Sequence, residues 1–212
     1  MGSKGDLSAY LKRIAYDGPV RKDFETLCGL QYAHMKSIPY ETFDIHFKRH
    51  IPIDPEVAFD KLVHQRRGGA CYEQNGLLGL ALQEIGFEVT RLAAYVKDQA
   101  SHLTLKVEWD DQVRICDVGL IDGPMEPYKL QDYSFTDCGH EYKVEMLEDG
   151  GFRFHNHKLS PSQGFVAHKP NEQAMEETSH WLQTSPESPF TKVVPVCTRT
   201  ADNHILMLTD RV

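Results

Sequence analysis

RRGGACYEQNGLLGLALQEIGF, residues 66–87, is the stretch on which the reading of this chain turns. Gly68-Gly69 breaks the backbone, and the apolar run from about Tyr72 to Ile85 predicts a buried helix. Gly86 ends it, as glycine does just past a helix C-terminus. Cys71 therefore falls at a helix start. First-turn N–H groups lack intrahelical acceptors and carry partial positive charge, and both effects favour a thiolate over a thiol. The two glycines allow a sharp turn and leave room for a substrate. These are the local needs of a cysteine nucleophile. The competing reading is an inert core cysteine, which is what most free cysteines are. A base and an orienting group would decide between the two.

Upstream of this stretch the chain reads as helical. Asp6 is placed to cap a helix carrying Leu7, Tyr10, Leu11 and Ile14, stopped by Gly18-Pro19. The same spacing returns from Asp23 to Lys36 with Phe24, Leu27, Leu30 and Met35, ended by Ile38-Pro39. Asp54-Pro55 reads as a cap with proline at the first helical position, leading into Val57, Phe59 and Leu62.

Downstream the period changes. Residues 88–96 are strand-like, and His102 to Trp109 alternate strictly. Asp110-Asp111 makes a turn and Gln112 to Val118 returns. Glu141–Leu147 and Gly151–His155 continue as short strands of an antiparallel barrel or sandwich. Residues 168–183 read as a helical connector, SPESPF as a loop, and 191–210 as two more strands. The fold class is α+β. The expected parts are a helical domain over 1–86, an antiparallel β-barrel domain over 87–167, and an interdomain helix with strands of a third domain over 168–212.

The 212 residues suffice for one large domain or two small ones, and 41% hydrophobic with 25% charged residues argues against disorder. No apolar run approaches the ~20 residues of a membrane span. The start MGSKGDLSAYLKRI lacks the apolar centre of a signal peptide, and Asp6 stands where a myristoylation signal wants Ser or Thr. A net charge of −8 without long Lys/Arg clusters excludes nucleic acid as a partner. The five cysteines, Cys28, Cys71, Cys116, Cys138 and Cys197, form neither a disulfide framework nor a CxxC site, so a reducing cytoplasm is expected.

Among eleven histidines, His102 stands out because it opens the alternating strand on its polar face. Asp117 lies on the returning segment. If Asp110-Asp111 is a two-residue turn, Asp117 lies opposite Thr104 and His102 is its diagonal neighbour on the same face, roughly 7–8 Å away. Asp111 would then need a positive φ. A three-residue turn would instead pair Val107 with Ile115 and send the His102 and Asp117 side chains to opposite faces. Apolar matching favours the three-residue turn and catalysis the two-residue one, so the residues leave this choice open.

The segment RRGGACYEQN, followed by SHLTL and then DVGLIDGP, resembles the arylamine N-acetyltransferases, which show an R-G-G-x-C-x-E-x-N-like stretch, a Ser/Thr-His-Leu strand and D-V-G. The likeness extends to YLKRIAYDGP from Tyr10, IPYETFD from Ile38 and SPFT from Ser188, in the right order over nearly the whole chain. The resemblance implies a papain-like triad with Cys71 as nucleophile, His102 as base and Asp117 orienting His102, and so it selects the two-residue turn. It implies ping-pong acetyl transfer from acetyl-CoA to an arylamine, hydrazine or hydroxylamine, with acetyl-CoA as co-substrate and no permanently bound cofactor. Gly69, Ala70, Tyr72, Val96, Gly119 and Leu120 match positions near the acyl donor and acceptor. Glu41, Arg67, Glu73 and Asn75 match positions that brace the site, where the bland alternative is ordinary surface ion pairs.

Two departures stand out. The family usually reads D-V-G-F-G where this chain has Asp117-Val118-Gly119-Leu120-Ile121, so Leu120 replaces an aromatic of the acceptor pocket and a different acceptor preference is expected. The family also generally continues past the segment matching 204–212, so the third domain is expected to be incomplete, with weaker CoA binding or self-association through the uncovered side. Competing functions are an amide synthase fed by a carrier protein, a cysteine hydrolase and a non-catalytic relative. His155 and His157 are two apart on a strand, but with no third ligand no metal site is expected.

Overall fold

The structure is a computed structural model that describes residues 6–96, 98–120, 122–156 and 164–199, and the backbone of 205–211. Helix α1 (Leu7–Arg13) starts where Asp6 Oδ1 accepts from Ala9 N at 3.1 Å, and α2 (Phe24–Ser37) where Asp23 Oδ1 accepts from Thr26 N at 2.9 Å. Each cap satisfies a first-turn donor that the helix itself cannot. Tyr10, Ile14, Leu27, Leu30 and Met35 are buried as their spacing predicts, but Phe24 is not. Its ring lies partly exposed beneath the Arg114 guanidinium, 5.1 Å from the centroid.

A two-residue strand β1 (Tyr40–Glu41) and a one-turn helix α3 (Phe43–His46) follow, both too short to show a period in the sequence. Helix α4 (Pro55–Phe59) starts at Asp54 and widens into a π-helical turn over Asp60–His64. Leu62 and Val63 are buried there, whereas Val57, expected in the same apolar stripe, is exposed. Helix α5 (Cys71–Ile85) begins one residue earlier than its apolar run suggests and ends at Gly86, whose φ of +106° suits glycine. Nearly every side chain from Cys71 to Leu82 is buried.

Eight antiparallel strands come next: β2 (Glu88–Val96), β3 (Gln99–Trp109), β4 (Gln112–Cys116), β5 (Tyr128–Lys129), β6 (Tyr133–Asp137), β7 (His140–Met146), β8 (Phe152–Asn156) and β9 (Phe165–Ala167). Their spatial order is β5-β4-β3-β2-β9-β8-β7-β6, so β5 and β6 are edges. The expected barrel is therefore a curled sheet. Side chains bridge its two edges: Tyr128 of β5 stacks on Phe135 of β6 with centroids 5.9 Å apart. Phe152, Phe154, Phe165 and Tyr142 fill the curl.

The β3–β4 hairpin pairs Trp109 with Gln112, Lys106 with Ile115 and Leu105 with Cys116. The turn thus has two residues, Asp110 and Asp111, and the positive φ of 48° falls on Asp110 rather than Asp111. Apolar matching misleads here because the hairpin is buried on both faces. Val107 belongs to the core shared with the helices and Ile115 to the aromatic core inside the curl. The strand itself ends at Cys116, one residue before Asp117.

Helix α6 (Glu172–Thr184) follows the sheet, capped by Asn171 Oδ1 accepting from Ala174 N at 3.1 Å. The SPESPF segment, expected to be a loop, leads into helix α7 (Pro189–Lys192). Ser188 is its N-cap and Pro189 takes the first helical position, a pairing that starts a helix even in a short segment. Strands β10 (Val193–Arg199) and β11 (Ile205–Arg211) form a hairpin, and β10 pairs with β1, setting Tyr40 opposite Cys197. No helix among the described residues is long and apolar enough to cross a membrane.

Candidate active site

Cys71 at the start of α5, His102 on β3 and Asp117 just past β4 converge, all three buried. Asp117 Oδ2 and His102 Nε2 are 2.6 Å apart. With Nε2 occupied, Nδ1 is the ring nitrogen left for the sulphur. Cys71 Sγ also lies 3.7 Å from the Ser101 carbonyl oxygen, as its donor. The imidazole packs at 5.3 Å from the Phe165 ring inside the curl. Burial works against a charged ring, but the Asp117 carboxylate and then the Cys71 sulphur outweigh it and raise the His102 pKa to about 10. His102 is therefore poised as an imidazolium at neutral pH, the partner a thiolate needs.

Asp117 is held from several sides. Its Oδ1 accepts from Asn75 Nδ2 at 2.9 Å and from Gly119 N at 3.1 Å, and its own N–H donates to Gln31 Oε1 at 3.2 Å. Asn75 also donates to the Leu103 carbonyl at 2.6 Å and accepts from Val118 N at 2.9 Å. Asn75 thus ties the helix of Cys71 to the strand of His102 and to the segment of Asp117. Gly119 packs directly on Cys71: a Cβ there would lie 2.7 Å from Cys71 Cα. The sequence reading set Gly119 near the donor, and here its role is to let the loop approach Cys71. Gln31 went unnoticed because its bonds span 86 and 93 residues, with no local signal.

Beneath the helix start lies a charged cluster. Arg67 reaches Glu41 Oε1 at 2.8 Å and Asp44 Oδ1 at 2.7 Å. Lys61 reaches Asp44 Oδ2 at 2.8 Å and Glu73 Oε1 at 2.9 Å. Glu73 Oε2 accepts from Ala70 N at 2.9 Å, and Glu41 Oε2 from Phe43 N at 2.7 Å. Glu41 and Glu73 are only 3% exposed, so these are not the surface pairs of the bland reading. Burial pushes the Glu73 pKa up, against the pull of Lys61. Lys61 lies on a segment read only for its apolar pattern, and Asp44 ends the IPYETFD motif, from which only Glu41 was singled out.

A small cavity of about 30 Å³ beside Cys71 is lined by Tyr40, Ala70, Tyr72, Ser101, Leu182 and Phe190, among others. Tyr72 donates its hydroxyl to the Ala100 carbonyl. Gly69 packs against the Glu73 side chain and accepts from Gln74 Nε2 at 2.8 Å. Leu120 lines a second small cavity with Val118, Tyr40 and Arg199, whereas Val96 joins the aromatic core of the curl. Ile121 and His157 lie outside the described residues, and so does residue 204, the start of the late segment read in the sequence. Among the described residues no group of three or more His, Cys, Asp or Glu could hold a metal ion, and His155 Nε2 lies 2.5 Å from Glu145 Oε2.

Residues 23–212 match the family model described as N-acetyltransferase. The chain belongs to the arylamine N-acetyltransferase family. An arylamine N-acetyltransferase of Mycolicibacterium smegmatis is 33% identical over 222 residues, covering 93% of this chain and 78% of that protein. Arylamine N-acetyltransferase 1 of Homo sapiens is 29% identical over 88% of this chain and 75% of its own length. Among solved structures, the Nocardia farcinica arylamine N-acetyltransferase superposes with a TM-score of 0.83 at 32% identity, covering 99% of this chain and 82% of that one. The Mycobacterium marinum enzyme in complex with CoA gives 0.86 at 27% identity, covering 96% and 80%. The chain thus has the α+β fold of the family and spans roughly four fifths of the length of these family structures.

Proposed function

We propose that this chain moves an acetyl group from acetyl-CoA, through a thioester on Cys71, to the nitrogen of an arylamine, hydrazine or hydroxylamine. The convergence of Cys71, His102 and Asp117 carries the reading, and the CoA complex of the Mycobacterium marinum relative supports the donor. The Cys71 thiolate attacks the thioester carbonyl carbon, and the His102 imidazolium gives its proton to the departing CoA sulphur. In the second half the acceptor nitrogen attacks the Cys71 thioester, neutral His102 takes the nitrogen proton, and the thiolate leaves. Asp117 at Nε2 keeps the other ring nitrogen toward the sulphur and stabilises the cation. Glu73 uses the Ala70 N–H, which leaves the Cys71 and Tyr72 N–H groups at the helix start as the donors for the developing oxyanion.

The working division is a nucleophile part (1–86), a His/Asp part (87–167) and a connector with the last strands (168–212). We assign the activity to xenobiotic-type amine acetylation in the cytoplasm. The test is incubation with acetyl-CoA and an aromatic hydrazine, following free CoA and acetylated hydrazine. Label from acetyl-CoA should appear on Cys71 and vanish in Cys71→Ala, with the fold unchanged. Label persisting in Cys71→Ala would remove the nucleophile assignment, and continued thioester turnover without an amine, beyond the single burst of CoA that acetylation of Cys71 releases, would favour hydrolysis.

A further inference from the structure

We infer that Lys61 is a positioning residue for Cys71, acting through Glu73, which it neutralises and holds against the first turn of α5. The inference rests on the proposed role of Cys71 as nucleophile. Two cations serve three carboxylates in the buried cluster, and they divide the work. Arg67 binds Glu41 and Asp44, whereas Lys61 binds Asp44 and Glu73 closely and reaches Glu41 only at 3.9 Å. Asp44 has three cationic partners within 4 Å, Lys61, Arg67 and the exposed Arg49, but Lys61 is the one cation within 4 Å of Glu73 among the described residues. Both Lys61 and Glu73 are nearly excluded from solvent, so neither charge can be met by water instead.

Glu73 is tied to the nucleophile by covalent and hydrogen-bonded links. It stands two residues after Cys71, and its Oε2 binds the N–H of Ala70, the residue just before Cys71. A carboxylate at a helix start accepts an orphan donor and so fixes where the helix begins. That position sets how Cys71 meets His102 and Gly119. The same carboxylate, left unpaired, would place a buried negative charge at the start of the helix that carries Cys71 and offset the positive field there that favours a thiolate. Lys61 gives the brace without the charge. It comes from the π-helical turn after α4, whose widened geometry carries a buried lysine next to buried Leu62 and Val63.

The test is the rate of Cys71 alkylation by iodoacetamide at neutral pH, with the site mapped by mass spectrometry, Cys71→Ala as control and a thermal melt of each variant. Lys61→Met should slow Cys71 alkylation about tenfold in protein that is still folded. Lys61→Met/Glu73→Gln removes both charges while the amide oxygen can still accept from Ala70 N–H. It should return the rate to within about threefold of the wild type. Lys61→Met/Glu73→Ala loses the acceptor and should stay slow. If Lys61→Met alone does not fold, the comparison of the two double variants decides. A purely structural lysine would lower the melting temperature and leave the alkylation rate of folded protein unchanged, which would overturn the inference. So would equal rates for the Gln and Ala double variants. A wild-type Cys71 that fails to react at all would instead refute the nucleophile reading.

Discussion

Gly119→Ala should damage the site through one methyl group. The added Cβ would sit 2.7 Å from Cys71 Cα and 2.8 Å from both Cys71 Cβ and Asn75 Nδ2. Carbon atoms pack comfortably at ~3.5 Å or more, so the loop and the helix start must part by about 0.8 Å. Two of the three clashes are with Cys71 itself, and neither its Cα nor its Cβ can swing aside as the tip of a long side chain can. Overpacking of this kind costs about 1–3 kcal/mol, or roughly 3–10 °C in Tm for a chain of this size. The effect on rate should be larger in proportion. A displacement of about 1 Å in a reacting group costs on the order of 10²-fold, so about 0.8 Å should slow the first acetylation by roughly 10- to 100-fold. A stopped-flow measurement of the CoA burst isolates that step, and a calorimetric melt follows stability. A variant within about twofold of wild type in burst rate and about 1 °C in Tm would refute the packing argument.

Other consequences can be measured alongside. Asp117→Asn should keep the fold but lower the acetylation rate by orders of magnitude, about 10⁴-fold if the serine-protease analogy carries over, because the amide cannot stabilise the imidazolium. Near-normal burst kinetics would exclude Asp117 from that role. Asn75→Leu strips partners from the Leu103 carbonyl, Val118 N–H and Asp117 Oδ1, all buried, and should cost about 4 kcal/mol, roughly 10 °C in Tm. A melt unchanged within about 2 °C would contradict that accounting. The raised pKa of His102 has a stability consequence of definite sign. Its contribution is fully present below the ordinary value near 6.5 and is lost as pH rises toward about 10. The Tm difference between wild type and His102→Gln should therefore be largest at the acid end of that window and shrink across it. A difference that grows with pH would reverse the assigned direction.

Local chemistry was enough to read most of the secondary structure. Asp6, Asp23 and Asp54 cap helices because a short acceptor side chain meets first-turn donors wherever it precedes an apolar period. Gly86 ends α5 because its backbone can turn left-handed there. Cys71 could be nominated because a helix start alters a thiol without help from distant residues. Where the local signal was thin, the reading slipped: α3 and α7 are single turns, and Val57 and Phe24 fit a stripe that the packing leaves exposed.

The partners of Cys71 were a different matter. The hairpin register that unites His102 with Asp117 depends on which core each face meets, and Val107 and Ile115 point to different cores. Alternation alone cannot tell a strand buried on both sides from one buried on a single side, so the motif resemblance had to choose. The links through Gln31, Asn75, Gly119 and Lys61 join residues far apart in the chain, and they exist only once helix and sheet are packed. The sequence by itself determined a cysteine at a helix start between a helical half and a strand-rich half, because caps, glycines and periodicity act over a few residues. Tertiary structure alone decided how that cysteine is aimed and how its neighbours are charged, because hydrogen bonds and buried charges act between atoms that chain order does not bring together.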